Sequence, residues 1–375
     1  MTRILPSLTG APRTIVLGAV LTVLAVGGTF LLDPFRNFQL ATIAATFCAA
    51  AGLTLLIGHS GQLSLGHAAL MATGGYGYAL AANALTAAGV EGVPRFAIGL
   101  AVAVAVAGAM GWMLGLAAAR LRGPYLAGVT LALVIAVPAV TAVFSGVFRG
   151  DQGLQIPFDG VPGALRTLIA LEQWQAWVAV AVAGVTVTTL CVLARGPLGL
   201  RMRAVRDDET AARLSGVRAG RVKVTAFTAS SAAAGAGGAV LCFVTQSVSP
   251  GAYTLAFSLL LVVAVVVGGL GSIGGAAVGS ALIVLLPWAI TTAIDALGLP
   301  AEVEQRLSGN VPVLVFGALL IAVMLAWPGG LASIRRRRRT PAAPASLPPA
   351  SEPEPPGGRS GTPASSPPVL QHTHP

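Results

Sequence analysis

Apolar runs of about 20 residues, broken by short stretches rich in glycine, proline or charge, recur along most of this chain. Wound as a helix, a run of that length crosses a hydrocarbon core ~30 Å thick. Ten such spans can be drawn, at 14–32, 38–58, 63–85, 96–119, 125–147, 174–194, 224–245, 253–270, 274–294 and 311–327. None shows the two-residue alternation of a barrel strand, and a backbone in lipid must satisfy its hydrogen bonds internally. The pattern therefore predicts an all-α polytopic membrane protein with about ten transmembrane helices.

Composition and charge sharpen this picture. Mean hydropathy is +0.81, and charged residues make up 10% of the chain, which excludes a soluble globular class. Of the 23 Lys and Arg, eight fall between Arg195 and Lys223 and five form the run 335–339. With the N-terminus inside, 18 basic residues face the cytoplasm, and only Arg36, Arg95, Arg149, Arg166 and Arg306 lie outside. An odd span count would put one of the two large clusters outside. The short-loop excess thus predicts ten spans with both termini in. The first run follows a basic start, but it is longer than a signal-peptide core and no A-x-A-like site closes it, so it reads as a membrane helix.

Beyond the last span the composition changes. Eleven of the 25 prolines fall in the last 36 residues, a segment too poor in apolar residues to offset its ordering entropy. The expected organisation is a membrane domain over 1–330, with a cytoplasmic loop at 195–223, followed by a basic anchor and disordered Pro-rich tail over 331–375. Directly at a membrane exit, the 335–339 run reads as a contact with anionic headgroups of the bilayer rather than with nucleic acid. Cys48, Cys191 and Cys242 lie far apart inside spans, without metal or disulfide spacing, and read as small packing residues.

The spans contain no Asp, Glu, Lys or Arg, and His67 is the only histidine well inside one. Ion-coupled transporters generally keep ionisable residues there, so energy capture within these spans is not expected. A Walker A loop is excluded too, because the one lysine, Lys223, stands between Val222 and Val224. A transporter so built borrows its energy from a partner or is a passive pore. Small residues take the place of charge: Gly111 with Gly115, and Gly275 with Gly279, are G-x-x-x-G pairs that let helix backbones approach. Gln62, Ser64 and His67 form a polar patch at the start of the third span. They read either as hydrogen-bonding groups within the bundle or as a contact near a pathway or cytoplasmic gate.

In the loop at 195–223, Gly196-Pro197 is a break and Gly216 a plausible helix end. On a single helix, Leu200, Ala204, Ala211 and Leu214 fall within about 40° of one line, with Asp207 interrupting. A short amphipathic helix outside the bilayer is expected. The successive acids Asp207, Asp208 and Glu209 would be repelled by anionic lipid, which favours a protein partner.

This loop resembles the coupling loop of bacterial ABC-importer permeases, whose signature is Glu-Ala-Ala, three residues, then Gly. Thr210-Ala211-Ala212-Arg213-Leu214-Ser215-Gly216 fits with Glu209 one place early, the shifted form of the branched-chain amino acid permeases of the LivM/LivH type. The stretch Gly58-His59-Ser60-Gly61-Gln62-Leu63-Ser64-Leu65-Gly66-His67-Ala68 is similar to that family's entry to its third span. Gly268-Gly269-Leu270-Gly271-Ser272 resembles its G-G-x-G-S turn, and Arg120-Leu121-Arg122-Gly123-Pro124-Tyr125-Leu126 its second cytoplasmic turn. The likeness covers about residues 35 to 330. The loop Arg149-Gly150-Asp151-Gln152-Gly153-Leu154 departs from the family's T-G-G-x-x-G-L, and the tail lies outside the likeness.

The resemblance implies a type II-like ABC importer permease bundle in the bacterial plasma (inner) membrane. It would have no catalytic residue, cofactor or metal of its own. Partners would be two ABC ATPase subunits, a homologous permease subunit and an external substrate-binding protein. Cargo would be branched-chain or other hydrophobic amino acids, with urea or short-chain amides, or a passive small-solute channel, as the alternatives. Arg206, Asp207, Asp208, Glu209, Ala211, Ala212 and Gly216 would couple the chain to the ATPases.

Overall fold

The computed structural model describes residues 11–121, 124–158, 160–163, 165–297 and scattered positions between 311 and 325. The helices run α1 (Ala11–Gly28), α2 (Pro34–Thr54), α3 (His67–Ala87), α4 (Gly92–Arg120), α5 (Pro124–Val143), the short α6 (Ser145–Phe148) and α7 (Leu171–Arg195). They continue with α8 (Pro197–Asp207), α9 (Glu209–Leu214), α10 (Ala219–Thr245), α11 (Leu255–Gly268) and α12 (Ile273–Asp295). Two-residue strands β1 (Leu154–Gln155) and β2 (Ser247–Val248) pair antiparallel. The protein is an all-α polytopic membrane protein.

Local sequence explains where helices begin. Asp33 accepts from the Arg36 amide at 2.9 Å and Pro34 occupies the first turn of α2, a position where its missing N–H costs nothing. Thr254 caps α11 and Ser272 caps α12 in the same way.

Among the described residues, eight helical stretches are long and apolar enough to cross a membrane. A further one, α3, has membrane length (21 residues) but is less apolar, carrying Gly, Tyr, Asn and Thr. That suits a helix shielded from lipid. The predicted tenth span at 311–327, the run 335–339 and the tail fall largely or wholly outside the described residues. Several boundaries move by up to five residues from the sequence reading, and at two of them the chain breaks inside a predicted span. The third span does not start at residue 63, because 61–66 is non-helical and α3 begins at His67. The fifth ends at Val143, where Phe144 breaks the helix before α6.

α10 is the hub, packing against α2, α3, α4 and α7. Its centre is Ala/Gly-rich, and the backbones it meets are equally bare. A Cβ on Gly74 of α3 would strike the Gly235 backbone, and one on Gly238 the Met71 carbonyl. On α4, a Cβ at Gly115 would lie 2.7 Å from Val224 Cα, and one at Gly111 would strike the Ser231 side chain. Gly275 and Gly279 of α12 face the α11 backbone as closely. Both G-x-x-x-G pairs therefore serve helix packing, where close backbone approach supplies dispersion contacts. α1 is peripheral and packs chiefly on α7.

The close glycine contacts run antiparallel between α10 and α2, between α10 and α4, and between α11 and α12. At one end of the bundle, Asn83 donates to the Gln155 carbonyl (3.2 Å), and buried Arg95 donates to Thr86 (2.5 Å) and to the Pro157 carbonyl (3.1 Å). These bonds and the β1–β2 pair fasten the 149–157 loop. The other end carries α8 and α9.

Candidate functional site

The loop at 195–223 is two helices, not the single one expected. α8 ends at Asp207, and Asp208 is extended (φ −154°, ψ 109°). Its carboxylate accepts from the amides of Thr210 (2.8 Å) and Ala211 (3.0 Å), capping α9. The break changes the helical phase, so the face reading is revised. Leu200 and Leu214 are 61% and 86% exposed, and Ala204 and Ala211 are exposed as well. The residues that face the body of the protein are Met202, Val205 and Ala212, all buried. The apolar line read from the sequence thus lies on the outside, without a partner among the described residues.

The three acids also separate by role. Asp207 pairs with Arg206 at 2.8 Å, Asp208 is the cap, and Glu209 turns inward. Its carboxylate accepts from Lys223 Nζ at 2.9 Å and Arg213 Nη2 at 2.5 Å. Burial pulls the Glu209 pKa upward, but hydrogen bonding and charge from Lys223 and Arg213 outweigh it and hold the carboxyl below its ordinary value. Lys223 sits at the foot of α10, so this ion pair ties α9 to the hub. A carboxylate with a depressed folded-state pKa contributes stability that is present above its unfolded value, about 4.3, and lost as pH falls through the folded value. Glu209→Gln should therefore raise hydrogen exchange of the α9 amides about fivefold at pH 7, equivalent to ~1 kcal/mol. The gap between variant and wild type should close in acid. A gap that persists below the folded pKa would show that charge is not what holds α9.

At the C-terminus of α9, the Val217 amide reaches back to the Ala212 carbonyl at 2.9 Å, and Gly216 has φ +81°. That is the left-handed residue of a Schellman end.

A second tie runs from α8 to α2. Arg206 Nη1 donates to the Gly58 carbonyl at 2.5 Å, in a π-helical turn (Leu55–His59) that ends α2. A Cβ on Gly61 would meet Arg206 Cγ at 2.6 Å, and one on Gly58 would strike Gly271. Three stretches distant in sequence, 58–61, 206 and 268–272, therefore touch at one junction.

From this junction the non-helical residues 61–66 run into the bundle. Gln62 and Ser64 are buried, and Gln62 Nε2 donates to Ser60 Oγ at 2.7 Å. A buried backbone that leaves the helix needs side-chain partners. Thr130 of α5 accepts from the Leu65 amide (3.0 Å), and Ser258 of α11 donates to the Leu65 carbonyl (2.5 Å). His67, fully buried, lies 3.3 Å from Ser64 Oγ through Nδ1 and 2.9 Å from Ser230 Oγ of α10 through Nε2. The patch is thus a pinned segment joining α3, α5, α10 and α11. Sequence reasoning missed Thr130, Ser230, Ser258 and the role of Lys223. The Ser230-Ser231 pair inside a small apolar run, and the chain's single lysine, were the available signals.

No His, Cys, Asp and Glu cluster suited to a metal occurs among the described residues. The three cysteines are free.

Comparison with known proteins decides the family. Residues 37–324 match the family described as "Branched-chain amino acid transport system / permease component". The chain belongs to this permease family. It is 30% identical over 357 residues to the "High-affinity branched-chain amino acid transport system permease protein LivM" of Escherichia coli (strain K12), spanning 89% of this chain and 78% of that protein. The protein of the same name from Salmonella typhimurium is 29% identical over the same shares. No solved structure gives a significant match. The permease is a multi-pass transport subunit of the bacterial inner membrane. Its matched region includes the 195–223 loop, the pinned segment and the 268–272 turn, and leaves out the Pro-rich tail.

Proposed function

We propose that this permease is the membrane subunit of an ATP-driven importer of branched-chain amino acids, working with two ABC ATPase subunits, a homologous permease and an external binding protein. The observation that carries the reading is the exposed apolar line on α8 and α9, on helices tied inward by Arg206 and Glu209. An exposed Leu200 and Leu214 on a charged loop are a docking face in want of a cover. The α8–α9 end is the cytoplasmic one. When the ATPases close, they displace α8 and α9 together. Arg206 carries the movement to the end of α2, and Glu209 carries it through Lys223 to α10. The pinned segment at Gln62, Ser64 and His67 then shifts between two arrangements, which is the bistable element that coupling requires. The apolar spans read from the sequence hold no Asp, Glu, Lys or Arg, and the buried Arg95 and Lys223 lie near the starts of α4 and α10. This suits an apolar cargo handed over by a binding protein better than ion coupling.

The test is uptake by the reconstituted assembly, with labelled leucine, isoleucine, valine and urea. Leucine-class uptake that requires ATP is expected. ATP-dependent urea uptake with no amino-acid uptake would replace the cargo, and ATP-independent flux would replace the importer reading by a channel. In cells, a cysteine placed at Ser215 should resist an impermeant external label. Labelling there would invert the orientation.

A further inference from the structure

At the α8–α9 end, a cavity of about 940 Å³ opens between the start of α1, the end of α7 and the first turn of α8. Arg13 and Arg195 line it, above walls that include Ile15, Leu17, Val192 and Leu193. By contrast, the cavities between α3, α4 and α5 and between α4, α7 and α10 carry no charged residue. Arg195 Nη1 donates to Thr14 Oγ1 at 2.8 Å. That bond fixes the guanidinium at the mouth while using one of its five N–H groups. Both arginines stand at the ends of apolar membrane helices, Arg13 in the first turn of α1 and Arg195 at the last residue of α7, the place along a span where headgroups are met.

We propose that this cavity binds an anionic phospholipid, its phosphate between Arg13 and Arg195 and an acyl chain along Ile15, Leu17, Val192 and Leu193. Two features select this occupant. The paired guanidiniums complement a phosphate, whose planar-fork recognition favours arginine. The apolar walls directly beneath them complement a hydrocarbon chain, which a free anion lacks. Basic pockets between membrane helices at the cytoplasmic side have this chemistry. The lipid would fasten α1, otherwise held chiefly by α7, to the root of α8.

The experiment is native mass spectrometry of the full-length protein released from nanodiscs of phosphatidylglycerol and phosphatidylcholine. Phosphatidylglycerol retained in preference to phosphatidylcholine is the expected result. Arg13→Gln combined with Arg195→Gln should weaken retention about thirtyfold, and exposed Arg13→Gln alone about fivefold. Arg218→Gln, a charge removal at the same end but outside the cavity, should leave it unchanged. Retention equal to wild type in the double variant, or equal retention of phosphatidylcholine, would overturn the site. Displacement of the lipid by inorganic phosphate would show a free-anion site and overturn the lipid assignment. Retention is read on the protein itself, so it stands or falls independently of any transport result.

Discussion

Gly216→Val leaves the permease in the membrane at normal abundance and lowers ATP-dependent uptake by an order of magnitude or more. Space is not the obstacle, since a Cβ at Gly216 would meet nothing within 4 Å. The obstacle is φ +81°, which a β-branched residue adopts only with strain of about 1–3 kcal/mol. The Schellman end opens, α9 loses its fixed exit, and the Leu214 edge swings away from the Leu200 edge. Gly216→Asn is the control, because Asn tolerates the left-handed region, and it should retain most uptake. Ala212→Arg should have a similar effect by another route. Ala212 is buried against the protein's own body rather than against a partner, so an arginine there lifts α9 off α10. The measurements are membrane abundance, co-purification of the ATPase subunits and uptake. Wild-type values of all three in Gly216→Val would remove α9 from the coupling proposed above.

The sequence and the structure agree where a single period runs long enough to be read. Apolar runs in the lipid spans placed their helices within a few residues, since transfer of apolar surface dominates there. Gly216 was legible as a helix end, and the glycine pairs as packing surfaces. The loop failed because a 100° rotation was carried through Asp208, whose side chain stops one helix and caps the next. Once the phase is lost, a single helical wheel does not find the inward residues, which are Met202 and Val205 on α8 and Ala212 on α9. The start of the third span, 63–66, failed for a different reason. Composition there permits a helix, and only Thr130, Ser258 and Ser230, from three other spans, make an irregular backbone affordable inside the bundle. Pairings such as Glu209 with Lys223, or Arg206 with Gly58, depend on tertiary approach and leave no local trace.

Gly235→Val abolishes the assembled protein, whereas the same change at Gly128 is tolerated. A Cβ at Gly235 would strike the Ala107 side chain and stand 3.0 Å from the Ala103 carbonyl, and Gly235 itself is what Gly74 rests against. Two helices, α3 and α4, therefore meet α10 at this one bare residue. Backbone cannot move aside as a flexible side chain can, so two branched methyls force the helices apart along their length. Overpacking in a core costs about 1–3 kcal/mol when side chains can yield, and more is expected here because backbone must. Gly128 of α5 is exposed, with nothing within 4 Å of its Cβ direction. Valine costs a lipid-facing helix little. Membrane abundance by immunoblot and thermal stability in detergent check the pair. Gly235→Val should fall to a small fraction of wild type, and Gly128→Val should match it. Equal abundance of the two variants would mean that α10 does not meet α3 and α4 at these glycines, and the packing of the hub would have to be redrawn.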